Sequence, residues 1–282
     1  IVFGNLVTKI STFNNLANLR EIVIGKNITQ IGNQCFMDCP QLFDVSFSEN
    51  STLQIIGSQT FQNCSDLSNI NIPDSVIYIY DKCFKNCFNL ENVNLPSTLV
   101  ILNNEVFQNC GKLASIDIPN AVQSIGANCF VDCSSLVSVN FLEDSNLNLI
   151  NTSCFENCVS LQQITLPKKV TSLGSRAFYN CFGLGSDGLI TLNTALTEIG
   201  SSCFAFCISM NYINLENTAI TTIQENTFED CSNLNCVLIP NTLTTINQFA
   251  FKNCINFGEC YILGSVTNLV ATAFNGLDVI TI

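Results

Sequence analysis

The stretch CFKNCFNLENVNLPSTLVILNNEVFQNC, Cys83–Cys110, contains the pentad Cys83-Phe84-Lys85-Asn86-Cys87 and, 23 residues later, its near-copy Val106-Phe107-Gln108-Asn109-Cys110. Between the two lie Leu90, Val93 and Leu95, then Pro96, then Leu99 and Leu102. Val93 and Leu95 are two residues apart, so on a strand both face one side while Asn92 and Asn94 face the other. Pro96 lacks the amide that would continue a ladder and ends that strand. The pentad is predicted to form one helical or 3₁₀ turn that carries the chain to the next strand. One such unit has no interior of its own.

The same phrase recurs along the chain. Phe13, Phe36, Phe61, Phe84, Phe107, Phe130, Phe155, Phe178, Phe204, Phe228, Phe251 and Phe274 are spaced by 23 to 26 residues. The 113–133 unit shows the pattern in full, with Leu113, Ile116, Ile118, Pro119, Val122, Ile125, Gly126, Cys129, Phe130 and Cys133. The expectation is a single repeat solenoid over residues 1–282, of about 11 to 12 repeats, in which rungs stacked at about 4.8 Å close a shared core. The array begins and ends in mid-repeat, and the chain reads as an excerpt of a longer protein.

Composition excludes several function classes. The 282 residues are 47% hydrophobic and 11% charged, which gives ample material for a core. A net charge of −12 with ten Lys and Arg leaves no basic surface for nucleic acid. No run of 18 apolar residues occurs, so no membrane insertion is expected within this segment. Histidine is absent, which removes Ser-His and Cys-His nucleophile pairs, and neither a P-loop nor a G-x-G-x-x-G stretch is present. No catalytic residues, no cofactor and no enzymatic activity are expected.

The cysteines are read through their replacements. The position before each Phe holds Cys in five units but Thr, Val or Ala in the others, and these share only small size. The position three after Phe is Cys in ten units and Leu16 or Leu277 in the terminal two. Isolated C-x-x-x-C pairs without a partner pair leave zinc half ligated, so no metal is expected. Parallel in-register side chains keep neighbouring sulfurs from the disulfide dihedral, so the expectation is a buried, reduced column of thiols.

The repeated phrase, with its I-P, its I-G, its A/C-F-x-N-C and its 23-residue period, closely resembles the BspA-like branch of leucine-rich repeats, in character nearest the protist versions. The resemblance covers nearly the whole chain. It implies a leucine-rich repeat solenoid with a parallel β-sheet on the concave face, short second strands and helical or 3₁₀ turns on the other walls. It also implies a non-enzymatic protein-binding module of adhesion or recognition type, at the cell surface or secreted, whose partner is a host or matrix protein or another copy of itself. Two alternatives stand beside it: an intracellular (cytoplasmic) scaffold, which suits reduced thiols, and a structural subunit that assembles end to end.

Two sets of residues are singled out. Outward strand positions from Glu21 to Thr165 are mostly short and polar, but become Tyr212, Asn214, Cys236, Leu238, Glu259 and Tyr261 toward the C-terminus, a change that reads either as a protein-binding patch or as a face covered by the next segment of a longer chain or by an assembly neighbour. Asn27, Asn50, Asn63 and Asn151 each stand in an N-x-S/T sequon and are glycosylation positions if the chain is secreted. Two units carry two extra residues, in the stretches SENST (48–52) and LEDSN (142–146), directly after strands without a following proline. Both extra stretches are expected to project from one edge of the solenoid.

Overall fold

The computed structural model describes residues 1–4, 6–186, 190–258 and 266–277. Two compact units are distinguished, Ile1–Ser145 and Asn146–Ile282. Each is a parallel-strand solenoid, and three walls recur in both.

The first wall is built of the L-x-x-I-x-L strands. In the N-terminal unit these are Glu21–Ile24, Asp44–Phe47, Asn69–Asn71, Asn92–Asn94, Ser115–Ile118 and Ser138–Phe141; in the C-terminal unit, Ile164–Thr165, Ile190–Thr191, Tyr212–Asn214 and Cys236–Leu238. Neighbours pair in parallel and in register, as Ile116 with Val139 and Ile213 with Val237. Burial alternates as the sequence pattern requires: in Ser115–Ile118, Ile116 and Ile118 are buried and Ser115 and Asp117 exposed. The proline turn follows, with Val76 donating to the Pro73 carbonyl at 3.0 Å and Leu99 to that of Pro96 at 3.1 Å.

The second wall consists of two-residue strands such as Gln30–Ile31, Ile55–Ile56, Tyr78–Ile79, Ser172–Leu173 and Thr222–Ile223, also parallel. The glycine that follows many of them marks a close approach of consecutive rungs. A Cβ on Gly57 would meet the Asn33 nitrogen at 2.6 Å, and one on Gly126 the Asn104 nitrogen at 2.6 Å.

The third wall departs from the sequence expectation. The pentads are not helical, save that the last, around Phe274, overlaps the one 3₁₀ helix among the described residues, Ala271–Phe274. Instead, from the Phe36 unit to the Phe251 unit each turn has two residues at left-handed φ, four apart, one just before the pentad and one inside it, such as Gln34 and Asp38, Gln59 and Asn63, or Arg176 and Asn180. Left-handed residues cannot belong to a right-handed helix, and each costs about 1 kcal/mol for a residue with a Cβ. What offsets that cost is a third ladder between rungs. Gln34, Phe36 and Asp38 donate to the carbonyls of Ser58, Thr60 and Gln62 at 2.8–2.9 Å, and Arg176, Phe178 and Asn180 to those of Ser201, Cys203 and Ala205. The recurrent Asn or Asp of F-x-N-C sits at the second left-handed position, which its short polar side chain tolerates. Those side chains bond one another along the stack, Asn86 to Asn63 and Asn109 to Asn86 at 2.7 Å, and Asn180 to Asn157 at 2.8 Å.

The core is a column of phenylalanines. From Phe36 to Phe130 in one unit, and from Phe155 to Phe251 in the other, the rings are wholly buried. Consecutive rings lie nearly parallel, Phe84 and Phe107 at 5.5 Å and 5°, Phe178 and Phe204 at 5.4 Å and 4°. Centroid separations exceed the rung spacing of about 4.8 Å, so the rings are offset, the arrangement their quadrupoles favour.

Candidate functional site

A stacked solenoid offers its partners the outward side chains of its strands, because inward ones fill the core. In the N-terminal unit these outward positions form two columns, Asp44, Asn69 and Asn92 in one, Ser46, Asn71 and Asn94 in the other. They line a groove of about 980 Å³ whose side walls are the extra residues Ser48, Asn50 and Ser51 and the proline turn at Pro73–Ser75. Asn92 Nδ2 donates to Asn69 Oδ1 at 2.7 Å. Asp74 accepts from the Ser97 amide at 2.8 Å and its hydroxyl at 2.9 Å, which holds its carboxyl below the usual range. The sequence pattern shows only a polar stretch here; the clue to the groove was the two-residue extension in SENST, which deepens one side of an otherwise open face.

In the C-terminal unit the strands Tyr212–Asn214 and Cys236–Leu238 pair in register, Tyr212 beside Cys236 and Asn214 beside Leu238. Leu238 is 37% exposed, and Tyr212, Asn214 and Cys236 are part-exposed. The structure thus brings four of the six patch residues together on one face. Glu259 and Tyr261 lie outside the described residues.

A separate apolar surface, not anticipated from sequence, lies on the second wall of the N-terminal unit. There Tyr78 is 50% and Ile101 47% exposed, and the Tyr78 and Tyr80 rings stack at 6.0 Å. Its signal is readable in hindsight, since the corresponding outward position is Ser, Glu or Thr in strands such as Ser172–Leu173, Glu198–Ile199 and Thr222–Ile223.

The sixteen described cysteines are free thiols, fifteen of them buried. Their column has a directed role that apolar packing alone does not supply. Thiols three after Phe reach the carbonyl of the Phe one rung back: Cys64 to Phe36 at 3.2 Å, Cys87 to Phe61 at 3.1 Å, Cys133 to Phe107 at 3.1 Å, Cys231 to Phe204 at 3.1 Å. Burial drives these groups toward the protonated form, which is the form that donates. It pushes Cys35 up to about 11, Cys203 and Cys254 up to about 12, and Cys64, Cys110 and Cys207 well above their ordinary range. Among the described residues no group of three or more His, Cys, Asp and Glu side chains is placed to hold a metal ion.

Cys236 is the part-exposed exception. Under native conditions it is expected to be alkylated at least about a hundredfold faster than Cys133, whose reaction must wait for local opening. Peptide mapping of a time course with iodoacetamide reads this directly, and equal rates at Cys236 and Cys133 would refute it.

The sequons fall in different settings. Asn27 and Asn50 are exposed, whereas Asn151 is part-buried. Asn63 is engaged in the third-wall ladder, its amide nitrogen 2.6 Å from the Asp38 carboxylate. A sugar on that nitrogen would displace the bond. Among the described residues, no helix is long and apolar enough to cross a membrane.

The model of the BspA type leucine rich repeat region matches in six copies, over residues 1–65, 54–185 and 148–281. No curated protein matches the chain. Among solved structures, a leucine-rich repeat protein from Bacteroides ovatus is 25% identical, with a TM-score of 0.55 over 90% of this chain and 82% of that one. A leucine rich cell surface protein from Faecalibacterium prausnitzii is 26% identical, with a TM-score of 0.50 over 92% and 84%. The pneumococcal vaccine antigen PcpA, at 18% identity, shares the fold with a TM-score of 0.60 over 95% and 75%. The leucine-rich repeat solenoid is in general a non-enzymatic scaffold for binding proteins. With its repeat motif matched along almost its whole length, the chain belongs to the BspA-type leucine-rich repeat family.

Proposed function

We propose that this chain is a non-enzymatic protein-binding module, displayed at a cell surface or secreted, whose contact patch is centred on Tyr212, Asn214, Cys236 and Leu238, with Glu259 and Tyr261 as its extension. The observation that carries the reading is the in-register pairing of Tyr212 with Cys236 and Asn214 with Leu238, which sets an aromatic ring and an exposed leucine diagonally across one sheet face. Tyrosine anchors of this kind are enriched among the few residues that carry most of the energy of protein interfaces. The partner is a host or matrix protein. The surface location draws on the family and on the cell surface protein of Faecalibacterium prausnitzii among its structural relatives.

An intracellular scaffold is the second reading, favoured by the sixteen free thiols. The thiols fit secretion as well, because fifteen are buried and so removed from oxidants. Antibody labelling of intact against permeabilised cells separates the two locations.

The patch is tested by replacing Tyr212→Ser and Leu238→Asp together. Both side chains point outward, so the melting temperature should stay close to that of the parent chain. Binding to immobilised extracellular-matrix proteins should fall at least about tenfold, as expected for loss of a central anchor worth about 2 kcal/mol. Full retention of binding would remove the patch.

A further inference from the structure

The groove of the N-terminal unit has chemistry unlike the patch just described. Eleven of its lining residues are Asn, Ser or Asp, and no Lys or Arg is among them. Two carboxylates, Asp44 and Asp74, give the lining its only formal charge. An anionic ligand is therefore repelled, and a cationic side chain would find one of the two carboxylates already engaged by Ser97. What the groove offers in quantity is neutral amides. Asn71 and Asn94 stand exposed on adjacent strands, paired in register. Among the described residues neither makes a side-chain hydrogen bond, so each presents both a donor and an acceptor. Phe47, part-exposed at one end, adds an aromatic face.

Spacing selects among neutral polar ligands. The amides repeat once per rung, about 4.8 Å, whereas an extended peptide presents like-facing groups every second residue, about 6.8 Å apart, and loses register after a single rung. A pyranose ring spans about one rung, and its adjacent hydroxyls each need a donor and an acceptor. Its C–H face packs against an aromatic ring. We propose that the groove formed by Asn71, Asn94, Asp44, Ser48, Asn50 and Phe47 binds a neutral oligosaccharide laid across the strands, one sugar ring per rung.

The test uses the whole chain, produced without N-glycosylation because Asn50 lines the groove. The probes are immobilised neutral tetrasaccharides of glucose, mannose, galactose and N-acetylglucosamine, with sialylated and sulfated counterparts. At least one neutral probe is expected to bind, and acidic counterparts to bind more weakly. The Asn71→Ala, Asn94→Ala variant should bind that probe at least about tenfold more weakly, since it loses the hydrogen bonds of two amides. Asn71→Ser with Asn94→Ser, which keeps a polar surface, should lose affinity similarly. The Tyr212→Ser, Leu238→Asp variant should bind the sugar as the parent does, so failure of the protein patch and failure of the groove are distinguishable. Binding of no neutral probe, preference for acidic ones, or unchanged affinity in both Asn variants would overturn the proposal.

Discussion

Raising the pH is expected to unfold this protein sharply above about pH 9, through its buried thiols. An unfolded cysteine ionises near 8.5, whereas burial holds Cys203 and Cys254 protonated up to about 12 and pushes Cys64, Cys129 and Cys231 well above their ordinary value. The folded-state values are raised, so this contribution to stability is fully present below the unfolded value. It is lost as pH climbs from there toward the folded one. In that window the unfolded chain releases protons that the folded chain keeps, and each such thiol removes about 1.4 kcal/mol per pH unit. Roughly six acting together remove about 8 kcal/mol within one unit, comparable to the whole stability of a domain. Circular dichroism from pH 7 to 12 under reducing conditions should show cooperative loss of β signal between about pH 9 and 10.5. A fold that persists beyond pH 12 would show that the thiols do not govern alkaline stability.

The second large effect belongs to the phenylalanine column. Phe107 is wholly buried, with Phe84 and Phe130 stacked on either side at 5.5 Å. Phe107→Ala is expected to cost about 3–5 kcal/mol, from lost transfer energy and a cavity that neighbouring rungs cannot fill. In a solenoid the damage is shared by two interfaces, since each rung contacts only its neighbours. Phe13, part-exposed, faces a full stack on one side only, with Phe36 at 5.9 Å and Phe3 edge-on at 5.2 Å. Phe13→Ala should therefore cost clearly less. Urea unfolding of the two variants compares them, and a Phe107→Ala change no larger than that of Phe13→Ala would discount the column as the main source of cohesion.

The parallel solenoid, the repeat boundaries and the side of each strand that meets the core were all readable in the sequence. They depend on period alone: a two-residue alternation fixes which side is buried, and a recurrent Phe every 23 to 26 residues fixes the rung. The candidate patch was readable for the same reason, since outward positions can be counted along any strand, and Tyr212, Asn214, Cys236 and Leu238 share one face as counted. The pentad was not readable in this way. An i, i+4 spacing of small buried residues satisfies one turn of helix and a left-handed turn equally well, and only the Asn or Asp of F-x-N-C hinted at the latter.

Tertiary structure decided the rest, because it arose between rungs. The thiol-to-carbonyl bonds join residues 26 to 29 apart, such as Cys133 to Phe107 and Cys207 to Phe178, so no local pattern in one repeat distinguishes a hydrogen-bonding thiol from an apolar filler. The groove has the same origin: Asn71 and Asn94 looked unremarkable singly, and acquire meaning only beside the walls raised by residues 48–51 and 73–75. Sequence by itself determined what each repeat buries, since burial follows from the chemistry of single side chains. Stacking determined what the buried and exposed groups touch, since those contacts run along the stacking direction, at right angles to the strands.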